Sequence, residues 1–195
     1  MNDVAREPGA LLARMSKRER VLKDQADMFI RGLSGVEATE LVTLDIESNG
    51  LQHESYPVEI GYAIGTGADP YHTCSFLIRP RPEWNESECG LATPIHGIDP
   101  ALIRGAIDAD LVCDLLDFSL KDKIVTVDGG IHDQYWIKRL YAKRSPSFSL
   151  IELPSDVKER VDAIRRESSP IHRALPDAVW LYRAVRIAER EGETK

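Results

Sequence analysis

Hydrophobic and polar positions divide the chain into two unequal parts. Within residues 1–38, apolar residues recur at helical spacing, and Gly32 and Gly35 mark where that helix ends. We interpret this part as an N-terminal helical extension and residues 39–195 as the main domain. The first half of the helix is basic, and a solvated amphipathic helix packed on the domain is preferred to an arm that binds nucleic acid. Formation of a homo-oligomer through this helix is an alternative that the sequence leaves open.

From residue 40 onward, the pattern alternates between strands and helices. Apolar segments bounded by turn residues predict five strands, at 41–46, 58–64, 71–78, 124–127 and 147–153. Helical periodicity predicts helices near 100–107, from 131 to about 143, near 156–166 and from about 176 to 191. Short turns between the first three strands imply antiparallel pairing, whereas helical crossovers imply parallel pairing. The predicted fold is α/β, a mixed five-stranded sheet with helices on both faces.

Composition constrains the compartment and the partners. No apolar run approaches the roughly 20 residues of a membrane-spanning helix, and the start lacks the order of a signal peptide. Cys74, Cys89 and Cys113 form no C-x-x-C pair, which argues against a zinc ribbon or a disulfide framework and for a reducing cytoplasm. The net charge of −7 disfavours a protein that covers many phosphates. An enzyme that grips a few terminal nucleotides needs only local positive charge, and bound metal ions supply part of it.

Acidic residues fall where their carboxylates can converge. Asp45 and Glu47 end the first predicted strand, and positions two apart on a strand point to the same face. Such a pair repels itself, and a hard divalent cation relieves that repulsion. Asp177 lies in the first turn of the last predicted helix, with His172 on the loop before it. Asp133 begins an earlier helix, where it serves either the helix dipole or a metal.

Four segments in this order resemble the DnaQ-like 3′–5′ exonucleases. They are Asp-Ile-Glu-Ser-Asn-Gly-Leu at 45–51, Pro-Ile-His-Gly-Ile at 94–98, Asp-Gly-Gly-Ile-His-Asp at 128–133 and His-Arg-Ala-Leu-Pro-Asp-Ala at 172–178. The histidine five residues before Asp177 is typical of the DEDDh branch. The resemblance covers residues 40 to 190 and implies the ribonuclease H-like fold.

The resemblance also implies a role for each matching residue. Four carboxylates would hold two Mg²⁺ or Mn²⁺ ions, with the first of them bridging: Asp45, Glu47, Asp133 and Asp177. His172 would be the general base that deprotonates the attacking water. The backbone around Ser48 and Asn49 would touch the terminal nucleotide, with Leu51 against its base. His96 would either line the same pocket or serve as a structural histidine. The implied activity is hydrolysis of DNA or RNA, one nucleotide at a time, from a single-stranded 3′ end, releasing 5′-mononucleotides.

The segment at 128–133 departs from the family pattern. Asp128 and Gly129 stand where the family usually has His-Asn, and His132 stands where it usually has Phe. These differences put the substrate channel and the support of Asp133 in question, but they remove no metal ligand. Two other functions stay open: a non-catalytic nucleic-acid-binding or scaffold domain, and a small-molecule phosphodiesterase. A scaffold has no need of clustered, mutually repelling acids.

Overall fold

The computed structural model describes residues 39–52, 54–84, 92–167 and 171–193. Its strands are β1 (Leu41–Ser48), β2 (Pro57–Gly65), β3 (His72–Arg79), β4 (Ile107–Asp108), β5 (Ile124–Val127) and β6 (Ser149–Glu152). Its helices are α1 (Thr93–His96), α2 (Pro100–Arg104), α3 (Ala109–Leu120), α4 (Ile131–Tyr141), α5 (Ser155–Arg165) and α6 (Ala174–Glu193). The predicted N-terminal helix of residues 1–38 lies outside the described residues and stays a prediction.

The strands form one mixed sheet in the order β4-β3-β2-β1-β5-β6. β1 pairs antiparallel with β2, and β2 antiparallel with β3. On the other side, β5 runs parallel to β1, and β6 runs parallel to β5. Hairpin neighbours are antiparallel and strands separated by a helix are parallel, as the connection lengths predicted. The carboxyl ends of β1 and β5 therefore lie at the same edge.

Alternation along β1 assigns its two faces to different layers. The even positions Val42, Leu44 and Ile46 belong to the main hydrophobic core, which also includes buried residues of α3 and α4. On the opposite face, the Thr43 hydroxyl donates a hydrogen bond to the Ala178 carbonyl of α6 at 2.7 Å. The sheet thus carries helices on both faces, as predicted, and the odd positions of β1 face α6.

Six strands are present where the sequence predicted five. The additional strand, β4, has only two residues and pairs parallel with the end of β3. Two residues cannot show a period of two, so the pattern merged them with the helix predicted near 100–107. That helix ends at Arg104, followed by Gly105.

Two further observations concern membrane spans and thiols. Among the described residues, no helix combines the length and the apolar character needed to cross a bilayer. Cys74 and Cys113 are free thiols. Cys89 lies outside the described residues.

A glycine on β2 sets how closely α6 approaches the sheet. Gly61 is the cross-strand partner of Asp45. A Cβ atom at Gly61 would lie 2.5 Å from the backbone of Ala174 and Leu175, closer than real Cβ contacts occur. The start of α6 therefore rests directly on the backbone of β2. Only glycine allows this contact without a shift of the helix.

We expect Gly61→Ala to destabilise the protein, because the added methyl group meets backbone that cannot move aside as a side chain would. Overpacking of this kind costs about 1–3 kcal/mol, and each kcal/mol corresponds to about 2–4 °C in a chain of this size. The matched control is Gly67→Ala, since nothing lies within 4 Å of a Cβ atom there. Thermal unfolding of both variants checks the expectation, and an equal melting temperature for the two would contradict it.

Candidate active site

The first pair of carboxylates projects from the end of β1. Asp45 and Glu47 share the face that α6 covers, and they pair across the strands with Gly61 and Glu59 of β2. Both side chains are partly buried. The expected convergence of the two acids on one face is therefore present, next to a third carboxylate on the neighbouring strand.

The segment at 128–133 bends sharply between β5 and α4. Gly130 has a φ of 58°, a left-handed conformation that glycine adopts without strain, and α4 begins directly after it. Asp133 lies in the first turn of α4 with only 5% of its surface exposed. Its carboxylate accepts a hydrogen bond from the Gly129 backbone N–H at 2.9 Å. This bond draws the side chain back over the turn.

Gly129 supplies the space that the bent Asp133 side chain occupies. A Cβ atom at residue 129 would lie 2.6 Å from Oδ2 of Asp133 and 2.9 Å from its carboxyl carbon. Any larger residue there would displace this carboxylate. The departure from the family pattern is thus compatible with a well-held Asp133, which the backbone of the turn supports.

The segment at 172–178 places His172 and Asp177 at the start of α6. The Asp177 carboxylate accepts a hydrogen bond from the Ile171 N–H at 3.3 Å, which folds the preceding loop over the first helical turn. His172 has a φ of 55°, in the left-handed region that side chains rarely adopt. Such a conformation persists only where surrounding contacts enforce it. The bend turns this exposed residue back toward the sheet.

The three segments meet in one cleft of about 880 Å³. All five residues that the sequence predicted as catalytic line it: Asp45, Glu47, Asp133, His172 and Asp177. One ligand atom from each of Glu47, His172 and Asp177 lies within 4.8 Å of the other two. A single small cation can contact groups at that separation. The cleft therefore contains a candidate metal-binding cluster of carboxylate and imidazole groups.

Burial, together with the crowding of acids, raises the pKa values of three of these carboxyls. Burial, followed by repulsion from Asp133, Glu47 and other acids, holds the pKa of Asp45 well above its usual range. Burial and the charge of Asp177 raise the pKa of Glu47 to about 7, although Arg173 opposes the shift. Burial, together with Asp128, likewise raises the pKa of Asp133 to about 7. A divalent cation would favour the ionised form of all three.

The predicted nucleotide contacts are only partly in the cleft. Ser48, Leu51 and His96 line it, and the Leu51 side chain is 79% exposed. Asn49 does not line it, because its side chain is buried and accepts a hydrogen bond from the Tyr56 N–H at 2.6 Å. Its backbone N–H and carbonyl are also bonded, to Tyr56 and Ala92. Asn49 closes the loop after β1, so the expectation that it contacts substrate has no support from its position.

His96 is more buried than a nucleotide contact requires. Its ring is only 4% exposed, and its Nδ1 accepts a hydrogen bond from the Ile98 N–H at 2.9 Å. Burial lowers the pKa of His96, which favours the neutral ring. The position of His96 suits support of the loop at the cleft wall. A contact with substrate stays a prediction.

Arg165 completes the wall beside Asp133. Its guanidinium forms an ion pair with the buried Asp128 and stacks over the Trp180 ring, 4.7 Å from the centroid. Among the described lining residues it is the only lysine or arginine. Arg144, just after α4, pairs instead with Asp114 and Asp117 of α3.

Two participants gave weak signals in the sequence. Trp180 follows Asp177 by three residues, a helical spacing that places both on one side of α6. Glu59 is the single charged residue in the nine-residue strand β2. An isolated acid in an apolar strand is a detectable anomaly. Its partners, however, are more than 100 residues away in sequence.

We expect the metal-free protein to lose stability as pH rises from about 4 toward 7. In that range the folded protein keeps protons on Glu47 and Asp133 that the unfolded chain has already released, since ordinary carboxyls titrate near about 4. The folded state therefore binds more protons, and its advantage is lost as these carboxyls ionise. Thermal unfolding in EDTA at pH 5.5 and pH 8 measures how the stability changes with pH. A higher melting temperature at pH 8 than at pH 5.5 would contradict the expectation.

Asp45→Asn should raise the melting temperature of the metal-free protein at pH 8, because a neutral amide avoids both the cost of a charge in the crowded group and the cost of keeping Asp45 protonated at that pH. Asp69→Asn is the matched control: Asp69 is exposed, lies outside the lining and pairs only with Arg183 among the described ion pairs. If the two variants shift the melting temperature equally, the crowding at Asp45 is not a source of instability.

Solved structures with a similar fold include several exonucleases. A 3′-exonuclease, from a structure of 3′-end-specific recognition of the histone mRNA stem-loop, has a TM-score of 0.59 and 13% identity, with 91% of this chain and 73% of that chain covered. Zinc-bound E. coli exonuclease I with single-stranded DNA has a TM-score of 0.54 and 14% identity, covering 77% of this chain and 40% of that chain. Exonuclease X, in complex with 5′ overhanging duplex DNA, has a TM-score of 0.50 and 17% identity, and the match covers 80% of this chain and 93% of that chain.

The sequence itself gives no comparable match. No family model matches the chain, and no curated protein sequence matches it. The chain corresponds to about two fifths of the length of exonuclease I. At identities of 13–17%, the similarity to these structures shows a shared fold only. The chain has the ribonuclease H-like fold of these exonucleases, and the predicted fold class is confirmed.

Proposed function

We propose that this chain is a metal-dependent 3′–5′ exonuclease. The observation that carries the proposal is the convergence of four carboxylates and a histidine from three separate segments in one cleft. The raised pKa values of three of the carboxyls support a site built for cations. The similar folds belong to exonucleases, which agrees with this chemistry.

The donor set fits two hard divalent ions, Mg²⁺ or Mn²⁺. Asp45, Glu47, Asp133 and Asp177 would hold them through carboxylate oxygens, the ligands that these ions prefer. Bound there, two ions supply charge stabilisation to the attacking and leaving oxygens of a phosphodiester. One structural neighbour was solved in a zinc-bound form, which agrees with a divalent-metal requirement.

The surrounding residues orient the substrate and handle the proton. His172 faces the cleft and would remove a proton from the attacking water, the role of a general base. The exposed Leu51 side chain would pack against the terminal base, and the end of β1 would flank the sugar. Nucleic acid is the proposed substrate because neighbours were solved with single-stranded or overhanging DNA. A single-stranded 3′ end fits an open cleft beside β1.

The test uses purified protein with 5′-labelled single-stranded DNA and RNA in Mg²⁺, Mn²⁺ or EDTA. We expect a ladder of products that shorten from the 3′ end, release of 5′-mononucleotides and no activity in EDTA. A 3′-phosphate should slow cleavage strongly. Asp45→Asn should abolish turnover, whereas Asp69→Asn should retain it. Full activity in EDTA, or rapid cutting of a circular strand, would exclude this mechanism. Cleavage confined to mononucleotide esters would identify a small-molecule phosphodiesterase instead.

His172→Ala should lower kcat by about 10²- to 10⁴-fold, the usual contribution of a general base. Mn²⁺ affinity should change far less, because the four carboxylates remain. His132 also lines the cleft and is the matched alternative. Comparison of kcat and Mn²⁺ binding for His172→Ala and His132→Ala identifies the base. A large kcat loss only in the His132 variant would refute the assignment, and a comparable loss of Mn²⁺ affinity in the His172 variant would make His172 a metal ligand.

A further inference from the structure

Glu59 is a buried carboxylate that the proposed chemistry does not use. It lies in β2, directly across from Glu47 of β1, and only 3% of its surface is exposed. A buried acid is costly unless it is paired and hydrogen-bonded. Glu59 also lies beside the carboxylate of Glu47, and repulsion between the two acids adds to the free-energy cost of burying it.

Three donors, all from the segment that follows His172, satisfy this carboxylate. Arg173 donates through Nε to Oε2 at 2.9 Å and through Nη2 to Oε1 at 2.7 Å, a bidentate arrangement. The Ala174 backbone N–H, at the start of α6, donates to Oε2 at 3.0 Å. Glu59 thereby fixes a side chain and a backbone group of two successive residues.

The residues on both sides of His172 are therefore held by carboxylates. On one side, Ile171 donates its N–H to Asp177. On the other, Arg173 and Ala174 are bonded to Glu59. Between them, the backbone of His172 adopts its left-handed conformation. Two fixed neighbours enforce the bend that directs the imidazole toward Glu47 and Asp177.

We propose that Glu59 is a positioning residue for His172. Its carboxylate anchors the backbone after His172, so that the imidazole stays where a water held near Glu47 and Asp177 would lie. This inference rests on the proposed exonuclease function for its kinetic consequence. A misplacement of about 1 Å in a catalytic group can lower a rate by about 10²-fold.

The main test is a double-mutant cycle between Glu59 and His172. Glu59→Gln keeps the shape and one acceptor oxygen but places an amide NH₂ group against the Arg173 donors. Glu59→Leu removes every acceptor. We expect kcat to fall by about tenfold in the first variant and about 10²-fold in the second, with little change in KM. In the His172→Ala background, the same substitutions should change kcat by less than about twofold, because no imidazole remains to be misplaced.

The matched control is Asp117→Asn. Asp117 resembles Glu59 in its bonding: it accepts the Ser147 backbone N–H at 2.8 Å and pairs with the Arg144 guanidinium at 3.2 Å, and it lies outside the cleft lining. Loss of a comparable network should lower the melting temperature of this variant without changing kcat. Far-ultraviolet circular dichroism and melting temperature identify any variant that fails to fold. Glu59→Gln, which preserves volume, is the variant most suited to remain folded.

A second readout does not depend on activity. The His172 ring signals in an NMR spectrum, assigned by their absence in His172→Ala, should shift and broaden in Glu59→Gln but not in Asp117→Asn. If wild-type protein cleaves nothing yet these signals respond as expected, the exonuclease proposal fails and the positioning role stands. Equal kcat losses from Glu59→Gln with and without His172, or unchanged ring signals in a folded Glu59→Gln variant, would overturn the positioning role.

Discussion

Electrostatic repulsion among carboxylates is the constraint on which the site depends. Asp45 and Glu47 come from one strand, Asp133 from the start of α4 and Asp177 from the start of α6. Like charges at short range favour separation, and burial together with this repulsion raises the pKa values of Asp45, Glu47 and Asp133. The rest of the fold has to hold these groups together. The direct contact of α6 with Gly61 and the Gly129 bond to Asp133 provide local restraint.

Two glycines, Gly61 and Gly129, show how this restraint is distributed. Neither Gly61 nor Gly129 contributes a side chain, yet each determines where a neighbouring acid can lie. Gly61 allows α6 to rest on the sheet beside Asp45, and Gly129 leaves space for the carboxylate of Asp133. Precise placement of charged groups here follows from the absence of bulk at two backbone positions as much as from the acids themselves.

Sequence patterns anticipated the strands, the later helices and the five residues of the candidate site, because each of these leaves a local signature. An apolar run ended by turn residues marked β1, a short β-branched run marked β5, and the five-residue spacing of the family motif linked His172 to Asp177. β4 was missed because two residues carry no period. The burial of Asn49 and the pairing of Glu59 with Arg173 depend on contacts between distant segments, and Glu59 and Arg173 are 114 positions apart in the sequence. Nothing local to those residues encodes such contacts.

The shortage of positive charge in the cleft has a thermodynamic consequence. Arg165 is the single lysine or arginine among the described lining residues, and Asp128 already neutralises much of its charge. A phosphate group entering this acidic cleft would gain its attraction from bound divalent ions. Substrate and metal are then positively linked ligands, and each raises the affinity of the protein for the other by the same factor. In the proposed exonuclease, depletion of metal would accordingly release the nucleic acid as well as stop the reaction.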